Sequence, residues 1–357
     1  MHRTCRFVLH LSLGIAAAGC VSSRGDADAA TRTKVIEGVL ARVQASYVFP
    51  GKAAEMSRAV RARLARGEYD GLALDEALAD SLTAHLRAVS RDKHLRVVFL
   101  SEPVQEAAPQ AEPSEEVLRR MQEELGEIRF GIENVEVLDG NVGLLDLRGF
   151  VPADVPGAKE AVAAAMDSLS RTDALIIDLR RNQGGDPGMV QLLASYLFGP
   201  RPVQLSSIYW RRGDRTEEFW TFRGVRGARY GPDRPVYVLT SSRTFSAAEA
   251  FAYDLKHLDR ATIVGETTAG GAHPGDLEYV SNFFAVQVPR GRAINPVTGT
   301  NWEGTGVVPH VAAGPEAALQ TAHVAALRSV LAATRGRERR AGLERLIQQA
   351  GAEQRGR

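Results

Sequence analysis

The 357-residue chain lacks several features that would define its class at once. Two cysteines are too few for a disulfide framework or for a four-thiolate zinc site. The 44 Lys and Arg residues nearly balance 43 Asp and Glu residues, so no charge excess recruits nucleic acid or anionic lipid. No internal repeat is apparent, and the glycines and prolines lack the period of collagen. With 44% hydrophobic residues, the composition is typical of a folded protein of about two domains.

The first 19 residues are predicted to be an export signal. A basic start is followed by a largely apolar run over residues 7–18, which is too short for a membrane span of about 20 residues. Small residues directly precede Cys20, as in a bacterial lipobox, where the cysteine is lipidated. The alternative is an ordinary secretory signal followed by a chance cysteine. Lipidation at Cys20 would anchor the chain in the cell envelope, facing the periplasm, with residues 20–31 as a flexible tether.

Hydrophobic periodicity divides the remaining chain into three parts. Residues 32–127 are predicted to form a helical domain with one or two strands, and residues 128–334 an α/β core in which apolar strands alternate with helices. Residues 335–357 are predicted to be a basic helical tail with a solvated face. Core strands are predicted at residues 132–138, 142–147, 174–179, 236–240 and 261–265.

Two segments that follow predicted buried strands carry candidate catalytic groups. The backbone N–H groups of Gly184 and Gly185 are candidates to hold a developing oxyanion, and a tight turn is the alternative. Ser246 stands between a strand and a helix, where its hydroxyl is exposed and the N–H of Ala247 lies at the positive end of the helix. Alternatively, Ser246 is only the N-cap of that helix, with Glu249 completing a capping box.

The eight histidines and the acidic residues provide candidates for a base and its partner. His94 begins a predicted strand after a polar turn, a position that places it at a domain edge. A lone histidine there is more often structural. Glu303 follows Trp302 in a glycine-rich loop, and a carboxylate is the group that orients a catalytic imidazole. The alternative for Glu303 is a surface acid in a turn.

Four segments, in this order, resemble the C-terminal processing (tail-specific) serine proteases. They read D-L-R-x-N-x-G-G at 178–185, T-S-x-x-T-F-S-A-A-E at 240–249, V-G-E-T-T-A-G-G at 264–271 and N-W-E-G-x-G-V-x-P at 301–309. The resemblance covers residues 32–330. It implies a layered ββα core of the crotonase/Clp-like type and peptide hydrolysis by acyl transfer.

The resemblance assigns Ser246 as the nucleophile, with Gly184 or Gly185 and Ala247 as the oxyanion donors. One branch of the family uses a Ser–Lys dyad, but Gly271 stands here at the position of its lysine. The chain therefore departs from that branch. It is similar instead to the branch shared by tricorn-type and interphotoreceptor-retinoid-binding-like proteins, in which a histidine is the base and a glutamate orients it.

In that branch, His94 matches the base and Glu303 matches the glutamate. The resemblance further implies that Ser90 lends a further hydrogen bond and that Glu249 and Thr268 support the site. The chain between His94 and the predicted strand that ends at Leu147 is too short for a PDZ-like insertion.

The sequence therefore predicts a serine endopeptidase that cleaves unstructured polypeptides with Ser246, His94 and Glu303. No cofactor, metal or nucleic-acid partner is predicted. Membrane contact is expected only through lipid at Cys20, and the sequence does not indicate the oligomeric state. One alternative is an envelope lipoprotein that holds a hydrophobic ligand or peptide in the same cleft, and another is a structural envelope protein. A pure binder has no need of all three groups, which favours the enzyme.

Overall fold

The computed structural model describes residues 21–104 and 115–355, so the predicted signal and Cys20 lie outside the described residues. The helices are α1 (Val21–Ser46), α2 (Pro50–Ala65), α3 (Glu76–Ser90), α4 (Glu115–Glu127), α5 (Ala158–Leu169), α6 (Pro187–Leu197), α7 (Ala247–His257), α8 (Ala318–Ala333) and α9 (Arg337–Arg355). The strands are β1 (Arg96–Phe99), β2 (Ile132–Leu138), β3 (Val142–Leu147), β4 (Ala174–Asp178), β5 (Gln204–Trp210), β6 (Arg215–Trp220), β7 (Val236–Thr240), β8 (Thr262–Gly265), β9 (Gly275–Tyr279), β10 (Phe284–Pro289), β11 (Gly291–Ile294) and β12 (Val311–Ala312). Of these helices, none is long and apolar enough to cross a bilayer.

A six-stranded sheet in the order β12-β8-β7-β4-β3-β2 forms the centre of the larger core. Only β2 and β3 are paired antiparallel, and the other neighbours are parallel. Strand β4 is buried on both faces, with Leu175 and Ile177 packed toward α5–α7 and Ala174 and Ile176 toward α8. This arrangement confirms the predicted α/β core, and it brings the carboxyl ends of β4 and β7 to one edge of the sheet.

A second hydrophobic core holds the N-terminal helices against the sheet β1-β10-β9. Its buried members include Leu82 of α3, Val97 of β1 and Val286 of β10. The predicted N-terminal helical region is confirmed, but the hairpin at residues 275–289 comes from the range 128–334 that was assigned to the α/β core. The two units are therefore interleaved in sequence, because β1 pairs edge to edge with β10 while its buried face packs on the N-terminal helices.

Helix α1 begins at Val21, where the sequence analysis predicts a flexible tether over residues 20–31. No proline interrupts the chain from Val21 to Ser46, and the packed part of the helix begins at Arg32. The Arg32 guanidinium donates hydrogen bonds of 3.1 and 2.9 Å to the carbonyl oxygen of Leu72. From this anchor toward the N-terminus, the helix continues over residues that have no apolar pattern of their own.

The C-terminal helix α9 also differs from a tail with a purely solvated face. Leu343 is 3% exposed and joins the apolar layer that α8 forms against the central sheet. A third sheet, β11-β5-β6, was not predicted, and it borders the cleft described below.

Truncation of a core leucine tests the second core. Leu82 is fully buried, so Leu82→Ala is expected to lower the free energy of unfolding by about 2–5 kcal/mol through the cavity that it leaves. Leu277 is 39% exposed in β9 and provides the matched control, for which a loss below about 1 kcal/mol is expected. Urea denaturation measures both, and equal losses would contradict the assignment of Leu82 to a packed core.

Candidate active site

Ser246 lies between β7 and α7 with φ 56° and ψ −122°. A positive φ is strained for a residue with a Cβ atom. The Ser246 hydroxyl lies 2.9 Å from Nε2 of His94. The Ser246 N–H donates to Oε2 of Glu249 at 2.9 Å, so the backbone of this serine is held by the helix while its hydroxyl meets an imidazole.

His94 lies between α3 and β1, and its ring reaches across to the larger core. Its backbone N–H donates to Oδ1 of Asp92 at 3.0 Å, and its ring packs on that of Phe245 with centroids 4.4 Å apart. Burial lowers the pKa of His94 to about 4, against the opposing charge of Asp92. The imidazole is therefore neutral at pH 7, and Nε2 is available to accept the Ser246 proton.

Gly271 packs directly against this imidazole. A Cβ atom at position 271 would come within 2.2 Å of Cε2 of Phe245 and within 2.9 Å of Cε1 of His94. There is no room for a side chain here. Position 271 is where the Ser–Lys branch carries its lysine. Here the rings of Phe245 and His94 occupy the space that such a side chain would need.

Two backbone N–H groups beside Ser246 are free to hold an anion. Within residues 21–104 and 115–355, the N–H groups of Gly185 and Ala247 donate no hydrogen bond, whereas that of Gly184 donates to Oδ1 of Asn182 at 2.8 Å. Gly185 has φ 135°, and a Cβ atom there would lie 2.1 Å from the carbonyl oxygen of Phe150. Of the two candidate glycines, Gly185 is therefore the available donor.

Glu303 lies near His94 but does not form the expected hydrogen bond with it. Oε2 of Glu303 accepts from the N–H of Ala272 at 2.5 Å and lies 3.5 Å from Nδ1 of His273. Nδ1 of His94 and Oε1 of Glu303 are both buried and have no hydrogen-bond partner in the described part of the chain. Burial, with the nearby charge of Asp92, raises the pKa of Glu303 to about 7.

Within the described residues, the Ser90 hydroxyl forms its hydrogen bond with neither His94 nor Glu303. Its hydroxyl instead accepts from the N–H of Asp92 at 3.2 Å. Helix α3 ends at Ser90, and Arg91 takes a left-handed conformation that turns the chain there. Ser90 therefore contacts the turn that carries Asp92, and Asp92 holds the backbone of His94.

Asp92 and His273 are the residues that sequence reasoning missed. Asp92 is 1% exposed and accepts from the hydroxyl of Tyr47 at 3.1 Å and from Nδ1 of His273 at 2.8 Å, besides the N–H of His94. An acid two residues before His94 was a local signal for this turn. The His273 pairing had no local signal. Asp92, His94 and Glu303 each place a possible metal-ligating atom within 4.8 Å of the others. The Asp92 carboxylate, however, already accepts hydrogen bonds from Tyr47, His94 and His273.

Glu249 and Thr268 lie under the site and join its two loops. The Glu249 carboxylate is fully buried and accepts from the hydroxyl of Thr268 at 2.5 Å and from the N–H groups of Gly270 and Gly271 at 2.6 and 2.8 Å. Burial raises the pKa of Glu249, and these hydrogen bonds together with that from Ser246 oppose the rise. The loop that carries Ser246 is therefore fixed to the loop beneath His94.

Ser246, His94, Gly185 and Ala247 open onto one cleft of about 750 Å³. Its far walls come from β5, β11 and Trp302. An alcohol, a neutral imidazole and two free N–H donors on one cleft wall are the groups that acyl transfer requires.

Two sequence models match the chain. Residues 29–131 match the N-terminal domain of Peptidase_S41 in eukaryotic IRBP, and residues 141–313 match peptidase family S41. The match at residues 141–313 contains Gly184, Gly185, Ser246 and Glu303, and that at residues 29–131 contains His94.

Solved structures show the same fold at low sequence identity. A lipoprotein from Streptococcus agalactiae superposes with a TM-score of 0.55 at 14% identity, covering 84% of this chain and 96% of that one. The photosystem II D1 C-terminal processing protease gives 0.50 at 17% identity, with 80% and 94% covered. The tricorn protease gives 0.50 at 12% identity, and the match covers 89% of this chain and 37% of that one.

These identities carry the fold alone, whereas the two sequence models cover most of the chain in consecutive order. Neither model indicates a PDZ domain. The chain belongs to peptidase family S41, with the N-terminal domain of that family preceding its peptidase domain.

Proposed function

We propose that the chain is a serine peptidase that cleaves unstructured polypeptides through an acyl-enzyme, with Ser246 as nucleophile and His94 as general base. The 2.9 Å contact between Oγ of Ser246 and Nε2 of His94 carries this proposal. Membership of family S41 supports the peptidase class. The open cleft beside Ser246 supports an extended segment of polypeptide as the substrate.

The reaction begins when Oγ of Ser246 attacks the carbonyl carbon and its proton passes to Nε2 of His94. The N–H groups of Gly185 and Ala247 hold the developing oxyanion, an effect worth about 3–4 kcal/mol per donor in comparable sites. The tetrahedral intermediate collapses as the C–N bond breaks, and His94 returns the proton to the leaving amine. Water then attacks the acyl-enzyme by the same proton path and releases the acid.

Glu303 is assigned as the residue that stabilises the imidazolium. His94 gains a proton in a buried place, so the cation needs a compensating charge. Nδ1 of His94 and Oε1 of Glu303 have no partner among the described residues, and a ring nitrogen of His94 lies within 4.8 Å of a Glu303 carboxylate oxygen. Hydrogen bonds at active sites often tighten only when substrate binds.

The unpaired atoms Nδ1 of His94 and Oε1 of Glu303 also favour a second candidate function. A cleft with apolar walls from Leu205, Ile208 and Trp302 would suit a lipoprotein that holds a hydrophobic ligand or peptide without cleaving it. The first experiment below decides between the two.

Replacing the nucleophile tests the proposal directly. Ser246→Ala is expected to reduce hydrolysis of an unfolded protein at least about 1,000-fold, because no acyl-enzyme can form. A fluorophosphonate probe should label the wild type at Ser246, and labelling should be lost in the His94→Ala variant. Ser242→Ala is the control, since Ser242 is exposed in the same loop and contacts Glu266 instead.

Full activity in Ser246→Ala would exclude Ser246 as the nucleophile. Equal probe labelling of the wild type and the His94→Ala variant would exclude His94 as the base. A wild type that binds peptide but shows neither cleavage nor labelling would support the binding protein.

The pKa shifts predict the pH dependence. His94 is neutral above a pKa of about 4, so of the two ionisable groups assigned to catalysis the one that titrates near neutrality is Glu303, whose pKa burial raises to about 7. Because Glu303 acts when ionised, kcat/KM should rise as the pH increases through about 7 and then level off. Glu303→Gln should abolish this rise and lower kcat by about 100- to 10,000-fold.

A pH–rate profile from pH 5 to 9 measures both effects, with Glu266→Gln as the matched control that keeps the rise. If Glu303→Gln still shows the wild-type rise near pH 7, another group is responsible for it.

We further propose that the chain is an envelope lipoprotein anchored through Cys20, on the grounds of the sequence that precedes this residue. Palmitate labelling in cells should mark the wild type and not the Cys20→Ser variant, and the variant should move from the membrane to the soluble fraction. Equal solubility without labelling in both would reject the anchor.

A further inference from the structure

The active-site cleft continues along α7 beyond the proposed nucleophile. Ser246, Ala250 and Asp254 are spaced four residues apart and all line it. At 1.5 Å per residue, Asp254 lies about 12 Å from Ser246 along the helix axis, and its side chain leans back toward Ser246. Ala250, between them, leaves the space open because its side chain is a single methyl group. A substrate side chain beside the scissile bond would therefore extend toward Asp254.

Asp254 is a buried carboxyl with an unused oxygen. It is 1% exposed, and its Oδ1 accepts from Nδ2 of Asn295 at 3.1 Å. Oδ2 has no hydrogen-bond partner within the described residues. Burial raises the pKa of Asp254 to about 8, against hydrogen bonds from Asn295 and Ser206, so the carboxyl is largely protonated at pH 7 and releases its proton when a cation pairs with it. A buried carboxyl oxygen left without a partner is costly, and a ligand that supplies a donor removes that cost.

The charge of the cleft indicates which donor fits. Its described lining residues include four carboxyl groups and no Lys or Arg: Asp186, Glu217, Asp254 and Asp276. Three of them already have partners in the protein. Asp186 caps α6, Glu217 accepts from Nε1 of Trp210, and Asp276 pairs with Arg290. Of these four, Asp254 alone is buried, and its Oδ2 has no hydrogen bond of good geometry in the described residues, although the Ser206 hydroxyl of the same cleft lies within reach of this carboxyl.

The walls near Asp254 suit a long side chain with a charged end. Leu205 and Ile208 offer apolar surface to an aliphatic stem, and Trp302 offers an aromatic ring.

We propose that Asp254 is a specificity-determining residue that selects Lys or Arg on the acyl side of the cleaved bond, by pairing with its cationic end. This inference rests on the proposed peptidase function of Ser246. Asp254 contacts the substrate side chain and takes no part in the bond-breaking step.

The experiment compares two peptides that differ only by lysine or norleucine at that position, since norleucine keeps the stem and loses the charge. With the full chain, kcat/KM for the lysine peptide should exceed that for the norleucine peptide by at least about 100-fold. Asp254→Asn should reduce this ratio at least about 30-fold. Glu218→Gln, the matched change of an exposed carboxylate outside the cleft that accepts from Nε1 of Trp220, should alter the ratio less than about threefold.

A wild-type ratio near one, or a ratio unchanged by Asp254→Asn, would overturn the proposal. Thermal unfolding checks that the variant is folded, and Asp254→Ser provides a second, smaller replacement that should give the same loss of ratio.

Binding separates this proposal from the proposed function. In the Ser246→Ala background, titration calorimetry with acetyl-Ala-Ala-Lys and acetyl-Ala-Ala-norleucine should show tighter binding of the lysine peptide, and Asp254→Asn should remove the difference. Cleavage that fails for every peptide while this difference persists would refute the peptidase and keep the cation pocket. Equal binding of the two peptides would refute the pocket.

Discussion

The contact between the Ser246 hydroxyl and the His94 imidazole requires two hydrophobic cores to keep a fixed distance. Ser246 is positioned by the central sheet, while His94 follows α3 and is held by the N-terminal core. A displacement of about 1 Å is enough to impair such a contact. The β9–β10 hairpin is continuous with the larger core and completes the sheet of the smaller one, and it thereby fixes the two units relative to each other.

Glu249 resolves a choice that the sequence left open. A helix-capping role and a catalytic role for Ser246 were alternatives. In the structure, the backbone N–H of Ser246 makes the capping contact and its side-chain hydroxyl makes the contact with His94. The backbone N–H of Ser246 bonds to Glu249, which helps to offset the strain of about 1–3 kcal/mol that a positive φ imposes. The hydroxyl is thereby left for His94. The same carboxylate holds Gly270 and Gly271 and thus sets the position of the surface on which the imidazole rests.

The sequence predicted the central sheet more closely than the smaller ones. Strands β2, β3 and β7 have the predicted bounds, because β3 and β7 are almost continuous apolar runs and β2 pairs with β3 through a short turn. Strand β6 was missed because most of its residues are exposed and polar, and it exists only through its pairing with β5. Strand β10 was missed for a similar reason, since its partner β1 is far away in sequence.

For the site, the family resemblance singled out the serine and the histidine, whose side chains the structure brings together. It could not supply the side-chain partners, which depend on backbone turns. The left-handed Arg91 turns the chain so that Ser90 contacts Asp92, and His273 approaches Asp92 from a loop 181 positions away. The sequence also did not reveal which polar side chains are buried. Asp254 is an ordinary helix residue in the sequence, and only the packing around α7 reveals it as a fully buried carboxyl.

The interleaving of the two units has a consequence for biosynthesis. Strand β1 is made early, but its partner β10 emerges from the ribosome almost two hundred residues later. Until then, the N-terminal helices cannot complete the sheet that carries His94 to its place. A chain that ends before β10 therefore lacks the sheet that holds His94 opposite Ser246, and its alcohol and imidazole are not yet brought together.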